Sequence, residues 1–351
     1  MSLQLQLRPY ALPLRQAWPG GGEHFAERRG LIVCVRDREG RYGYGDCAPL
    51  PGLGSETLAE ARQALLHCQL PLRQLDAETA LDALPLDAAT TPAARCGLET
   101  AVLDLLARRQ ARPLYRWLDK DAPGRVKVNA MIGSLDEDSA ARIAGMPGYS
   151  VFKFKLGMAS LQQDIEQLQR LAMQLPGEIR LRLDANRAWT VPEAVRFIDA
   201  CAGLPVDCLE EPLAQPTLEA LDRLQARAGF ALALDESLPH FAVDELVTST
   251  AVQRLVLKPV LCGGLLPALA IARRAQAAGI GCVITTAVDS AVGVRAAAHL
   301  AAAVEAGGPG LAHGLATGAW LVQDVAEALF IEDGLARPGE KAGLGISSLQ
   351  R

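Results

Sequence analysis

The chain has 351 residues, half of them apolar, with 32 glycines and 21 prolines. That length allows one large domain or two ordinary ones, and the apolar fraction excludes global disorder. Thirty-five basic against 40 acidic residues leave a net charge of −5, which gives no general reason to bind nucleic acid or an anionic membrane. No apolar run approaches the ~18 residues of a membrane span, so no membrane partner is expected. The N-terminus lacks a signal-peptide layout, and the eight cysteines form no C-x-x-C pair. They read as reduced, buried thiols, so a cytoplasmic location is expected.

Strands over Leu3–Arg8 and Gly30–Arg36 bracket a glycine-rich loop, and a third over Arg41–Ala48 ends in the turn Pro49–Ser55. Helical periodicity covers about 55–70 and 92–109. Strands followed by helices predict an α+β unit bounded near Pro123-Gly124. Beyond it, short apolar strands begin at 126, 151, 179, 206, 231, 254, 281 and near 310, most of them separated by an amphipathic helix. That cadence predicts parallel strands with crossover connections: a modified (β/α)8-type, TIM-like barrel of the α/β class. No G-x-G-x-x-G follows the first strand, which disfavours a doubly wound sheet. The expected domains are an α+β capping domain over 1–122, joined by 320–351, and the barrel over 123–319.

The C-terminal ends of barrel strands form a catalytic mouth. Strand two there carries Lys153 and Lys155 on one side, by alternation. Strand three ends at Asp184, four at Glu210, five at Asp235 and six at Lys258. Three carboxylates brought together repel one another unless a cation intervenes. Oxygen-only donors favour a hard divalent ion, Mg²⁺ or Mn²⁺. A lysine shielded from water beside a cation gives up its proton more readily and can act as a general base. Asn186 and Glu236 are expected to support the ligands, and Arg182 either to salt-bridge a ligand carboxylate or to bind substrate. The five histidines are expected at the surface or as caps. Gly263-Gly264 reads either as a turn or as a contact to an anionic substrate.

The motifs K-F-K, R-L-D-A-N-R-A-W, L-E-E-P, D-E-S and V-L-K-P, in this order at strand ends, resemble the enolase superfamily over nearly the whole chain. Lysines on strands two and six resemble its muconate lactonizing group. D-A-N-R-A-W, P-L-P-G-L-G-S-E-T and His313–Trp320 are similar to the o-succinylbenzoate synthase family of menaquinone-pathway dehydratases. Dipeptide epimerases carry an acidic D-x-D after the eighth strand, whereas no acid occurs between Leu311 and Trp320. N-acylamino acid racemases and muconate cycloisomerases share the same lysines and ligands and remain alternatives, as does a catalytically idle binding barrel.

The resemblance implies Mg²⁺ on Asp184, Glu210 and Asp235, Lys155 as the acid–base group and Lys258 as a charge-stabilising partner, acting on a small carboxylate through an enediolate. Substrate contacts are expected from Lys153, Arg182, Asn186, Pro51, Gly52, Leu53, Thr285 and Thr286, with the loop Trp18–Phe25 closing the mouth. The half-apolar composition suits a homo-oligomer.

Overall fold

The computed structural model of the chain describes residues 3–20 and 23–350, with side chains described outside 18–24. Strands β1 (Gln4–Gly20), β2 (Glu23–Arg36) and β3 (Tyr42–Cys47) form an antiparallel sheet. Its first hairpin runs much further than the expected Leu3–Arg8, because pairing continues past a register shift between Pro13 and Trp18. The side chains expected to close the mouth over Trp18–Phe25 lie, Phe25 excepted, outside the described residues.

The helix Pro92–Arg109 packs across this sheet. Proline opens it at the first position, where no backbone N–H is needed. Two glycines of β3 permit the close approach: a Cβ on Gly43 would lie 2.1 Å from the Ala101 carbonyl oxygen, and one on Gly45 1.9 Å from that of Gly97. The buried side chains between them form the core of the capping unit, joined by Val260 of the short helix Pro259–Cys262 and by Ala287, both beyond the C-terminal ends of barrel strands. The cap therefore sits over the mouth.

The barrel sheet is parallel and seven-stranded: β5 (Ala130–Ser134), β6 (Val151–Lys155), β7 (Arg180–Asp184), β8 (Val206–Glu210), β9 (Ala231–Leu234), β10 (Arg254–Leu257) and β11 (Gly281–Ile284), each paired with the next. The strand expected to begin at 126 splits. Val126–Lys127 becomes β4, which pairs with the C-terminal hairpin β12 (Phe330–Glu332) and β13 (Leu335–Arg337). The expected eighth strand near residue 310 forms only parallel bridges, Thr285↔Gly314 and Val128↔His313, which link the end of β11 to the segment leading into β5.

His313 is fully buried at that closure, its Nδ1 accepting the Ile284 N–H at 3.0 Å. His299 is also buried, accepting the Tyr115 N–H at 3.1 Å and stacking on the Tyr115 ring. Both correct the surface or capping role expected for the histidines. The tail also returns to the cap: Leu344 N–H donates to Asp104 at 2.7 Å, and Tyr42 donates to the Ser347 carbonyl at 2.9 Å. No helix among the described residues is long and apolar enough to cross a membrane.

Candidate active site

Parallel pairing in register places the charged residues side by side. Lys155 lies opposite Asp184, and Asp184 opposite Glu210. Asp235 and Lys258 immediately follow β9 and β10. Lys155 Nζ is 2.7 Å from Asp184 Oδ2, and Lys153 Nζ is 2.9 Å from the same oxygen. Lys153 also pairs with Glu210, and Lys258 with Asp235. Lys155 further donates to Asn186 Oδ1 at 2.8 Å, while the Asn186 amide donates to Glu236 at 2.7 Å.

Burial sets the electrostatics. Asp184 is desolvated, yet its two lysines outweigh that and hold its pKa below the ordinary carboxylate value. Glu210 shares only one of those lysines and is repelled by Asp184, so burial keeps it above the ordinary value. Burial disfavours the Lys153 ammonium, but Asp184, Glu210 and Asp235 together raise it well above the usual lysine value. Burial and the charges of Asp235 and Asp184 push Glu236 up to about 7.

Arg182 is 1% exposed and lies inside the barrel. It donates to Asp207 at 2.9 Å, to Asn129 at 3.1 Å and to the Ala312 carbonyl at 2.8 Å, with Glu210 3.8 Å away. Thr285 lines the small interior cavity shared by Lys153, Arg182 and Glu210. The Thr286 hydroxyl is 2.6 Å from that of Thr317. Gly52 and Leu53 of the cap turn face Asn186, Arg187, Glu236 and His240 across a cleft of ≈ 500 Å³; Pro51 opens the short helical turn that carries them. Gly263-Gly264 packs against the cap: a Cβ on Gly263 would meet Ala88 at 2.6 Å and one on Gly264 the Glu99 carboxylate at 2.2 Å, which fits the turn reading.

Sequence reading passed over Glu211 and Arg187. Glu211 is 1% exposed at φ 46 and accepts the Asp235 N–H at 2.6 Å and the Ser237 N–H at 2.9 Å, which fixes the chain at Asp235. Its only signal is the second acid of L-E-E-P.

The donor set fits a hard divalent cation: Asp184, Glu210 and Asp235 are buried oxygen donors on adjacent strand ends, and Glu236 Oε2 is a buried oxygen without a hydrogen-bond partner. Among the described residues no three such groups already converge on an ion position. Each of the three carboxylates is turned onto a lysine, so an ion bound there would exchange ammonium contacts for ion contacts.

Residues 136–350 match the family described as enolase C-terminal domain-like, and residues 3–105 match the MenC N-terminal domain. The chain belongs to the enolase superfamily and is an enzyme of that class. It is 34% identical over 282 residues to the o-succinylbenzoate synthase of Salmonella arizonae, 78% of this chain and 79% of that one. It is 31% identical over 282 residues to the hydrophobic dipeptide epimerase of Enterococcus faecalis, 78% of each chain. Among solved structures, the Enterococcus faecalis dipeptide epimerase complexed with Mg and L-Leu-L-Tyr superposes with a TM-score of 0.88 at 27% identity, covering 99% of this chain and 100% of that one. The dipeptide epimerase of Methylococcus capsulatus with Mg and L-Arg-D-Lys gives 0.85 at 30%, covering 99% of both. Overall similarity does not choose between these activities.

Proposed function

We propose that the protein catalyses the syn dehydration of 2-succinyl-6-hydroxy-2,4-cyclohexadiene-1-carboxylate to o-succinylbenzoate, the menaquinone-pathway reaction of o-succinylbenzoate synthases. The observation that carries this reading over epimerisation is the segment 311–320. It closes the barrel beside Thr285 and presents no acid to receive a substrate ammonium, only the Thr317 hydroxyl against Thr286.

Asp184, Glu210 and Asp235 would hold the divalent ion, Mg²⁺, whose chemistry there is Lewis-acid relief of charge building on a substrate carboxylate. Lys155 takes the proton α to the ring carboxylate onto Nζ. It then returns a proton to the hydroxyl departing from the same face. One C–H and one C–O bond break, water leaves, and the ring becomes aromatic. Asn186 steadies Lys155 by its 2.8 Å contact. Lys258 sets positive charge against the ring from the other side. Lys153, bridging Asp184 and Glu210, offsets the charge of the carboxylate pair.

The test offers the Mg²⁺-loaded protein the cyclohexadiene dicarboxylate, an N-succinylamino acid and L-Leu-L-Tyr in parallel. Dehydration faster in kcat/KM than either stereochemical inversion by about 100-fold or more supports the reading. Faster inversion of either comparison substrate contradicts it.

A further inference from the structure

The cleft beneath the cap turn contains a cation that the mechanism does not use. Deeper in the mouth every basic group is matched: Lys153 with Asp184 and Glu210, Lys155 with Asp184, Lys258 with Asp235, and Arg182 with Asp207. Arg187 lines the same cleft and, among the described residues, has no carboxylate within salt-bridge distance. One guanidinium nitrogen donates to the Ala214 carbonyl at 3.0 Å, and its Nε is buried without a hydrogen-bond partner. A buried donor of this kind is costly to leave unmade.

The backbone gives independent support. Asn186 and Arg187 are consecutive non-glycine residues in the left-handed region, at φ 43 and φ 63. Side chains rarely adopt that conformation, and it persists where surrounding contacts over-determine it, commonly at functional sites. Here the contacts are the Arg187 N–H to the Glu211 carbonyl at 2.7 Å, Ala188 N–H to Ala185 at 2.9 Å and Trp189 N–H to Pro212 at 3.2 Å. The same turn sets Asn186 on Lys155 and Glu236 and places Arg187 along the cleft, which exposed His240 also lines. Of these two neighbouring cleft residues, Asn186 is tied to Lys155 and Glu236, while Arg187 has no such partner in the catalytic cluster.

A guanidinium is a planar fork that matches a carboxylate bidentately. We propose that Arg187 binds a second, distal carboxylate of the substrate in the cleft, which makes this a site for dianions. The inference rests on the proposed dehydration for the identity of that group, the succinyl carboxylate. It adds that recognition of this tail comes from the barrel turn after β7, opposite Gly52 and Leu53.

Binding separates this inference from the reaction itself. The Mg²⁺-loaded protein is titrated calorimetrically with o-succinylbenzoate and with 2-butanoylbenzoate, which carries a methyl in place of the distal carboxylate. The native protein should prefer the diacid by about 10- to 100-fold. Arg187→Met should abolish that preference without weakening 2-butanoylbenzoate, and Arg187→Lys should restore part of it. On the full substrate, Arg187→Met should raise KM by a similar factor with kcat within about threefold. An undiminished diacid preference in Arg187→Met, or no preference in the native protein, overturns the inference. Absence of dehydration with the diacid preference intact in the native protein and lost in the variant overturns the proposed function and leaves the subsite standing.

Discussion

Lys155 Nζ sits 2.7 Å from Asp184 Oδ2, directly across the pair of strands β6 and β7. The residue assigned the proton is thus hydrogen-bonded to a carboxylate assigned to the ion, and Asn186 holds it from another side at 2.8 Å. Lys155→Ala removes both proton transfers at once, so kcat should fall by more than the ~10²–10⁴-fold typical of one acid–base group. Steady-state kinetics with o-succinylbenzoate binding measured alongside checks this; near-normal turnover contradicts the assignment.

Asp184 also holds Lys153, at 2.9 Å, so it joins the proposed ion site to both β6 lysines. Mg²⁺ at about 100 times its Kd should stabilise the native protein by roughly 2.7 kcal/mol, and EDTA should reverse this. Asp184→Asn should lose that Mg²⁺-dependent rise in melting temperature. An undiminished rise would place the ion elsewhere.

Arg28 reaches from β2 to Asp289 behind the mouth, 3.7 Å away, while its other contacts go to the Ala48 and Pro49 carbonyls that lead into the cap turn. Its guanidinium only partly offsets the burial that pushes Asp289 up to about 6. A raised carboxyl pKa means the native state holds the proton more tightly than the unfolded chain. That stability is fully present below the unfolded value near 3.8 and is lost as pH rises through about 6. Asp289→Asn does not titrate, so its stability relative to the native protein should climb between pH 4 and 7, by up to about 3 kcal/mol. Melting curves across that range test it, and a difference flat with pH contradicts it.

Gly45 meets backbone, not a side chain that could move aside, so a methyl group there must separate β3 from the helix Pro92–Arg109. Gly45→Ala should lower stability by about 2–4 kcal/mol in urea unfolding. A loss under about 0.5 kcal/mol would show that the cap core yields more easily than its contacts imply.

Legibility in the sequence followed the periodicity of each segment. The helix Pro92–Arg109 and strand Val206–Glu210 fall on their expected bounds, because an apolar period and a clear stop coincide. Lys155, Asp184, Glu210, Asp235 and Lys258 were found together because strand alternation and strand ends fix where charges go. The strand expected from 126 divides because one apolar run serves two sheets. The closure at Gly314 is only a bridge, so it carries no strand pattern. Arg187 and Glu211 were illegible because their left-handed backbone owes nothing to glycine. The burial of His299 and His313 left no trace because a lone polar residue has no period.

The most direct test of the account follows the absorbance of purified protein acting on 2-succinyl-6-hydroxy-2,4-cyclohexadiene-1-carboxylate, first with Mg²⁺ and then with EDTA. The account predicts rapid aromatisation with Mg²⁺, abolished by EDTA and restored by added Mg²⁺. Metal-loaded, folded protein that leaves the cyclohexadiene unchanged would contradict it.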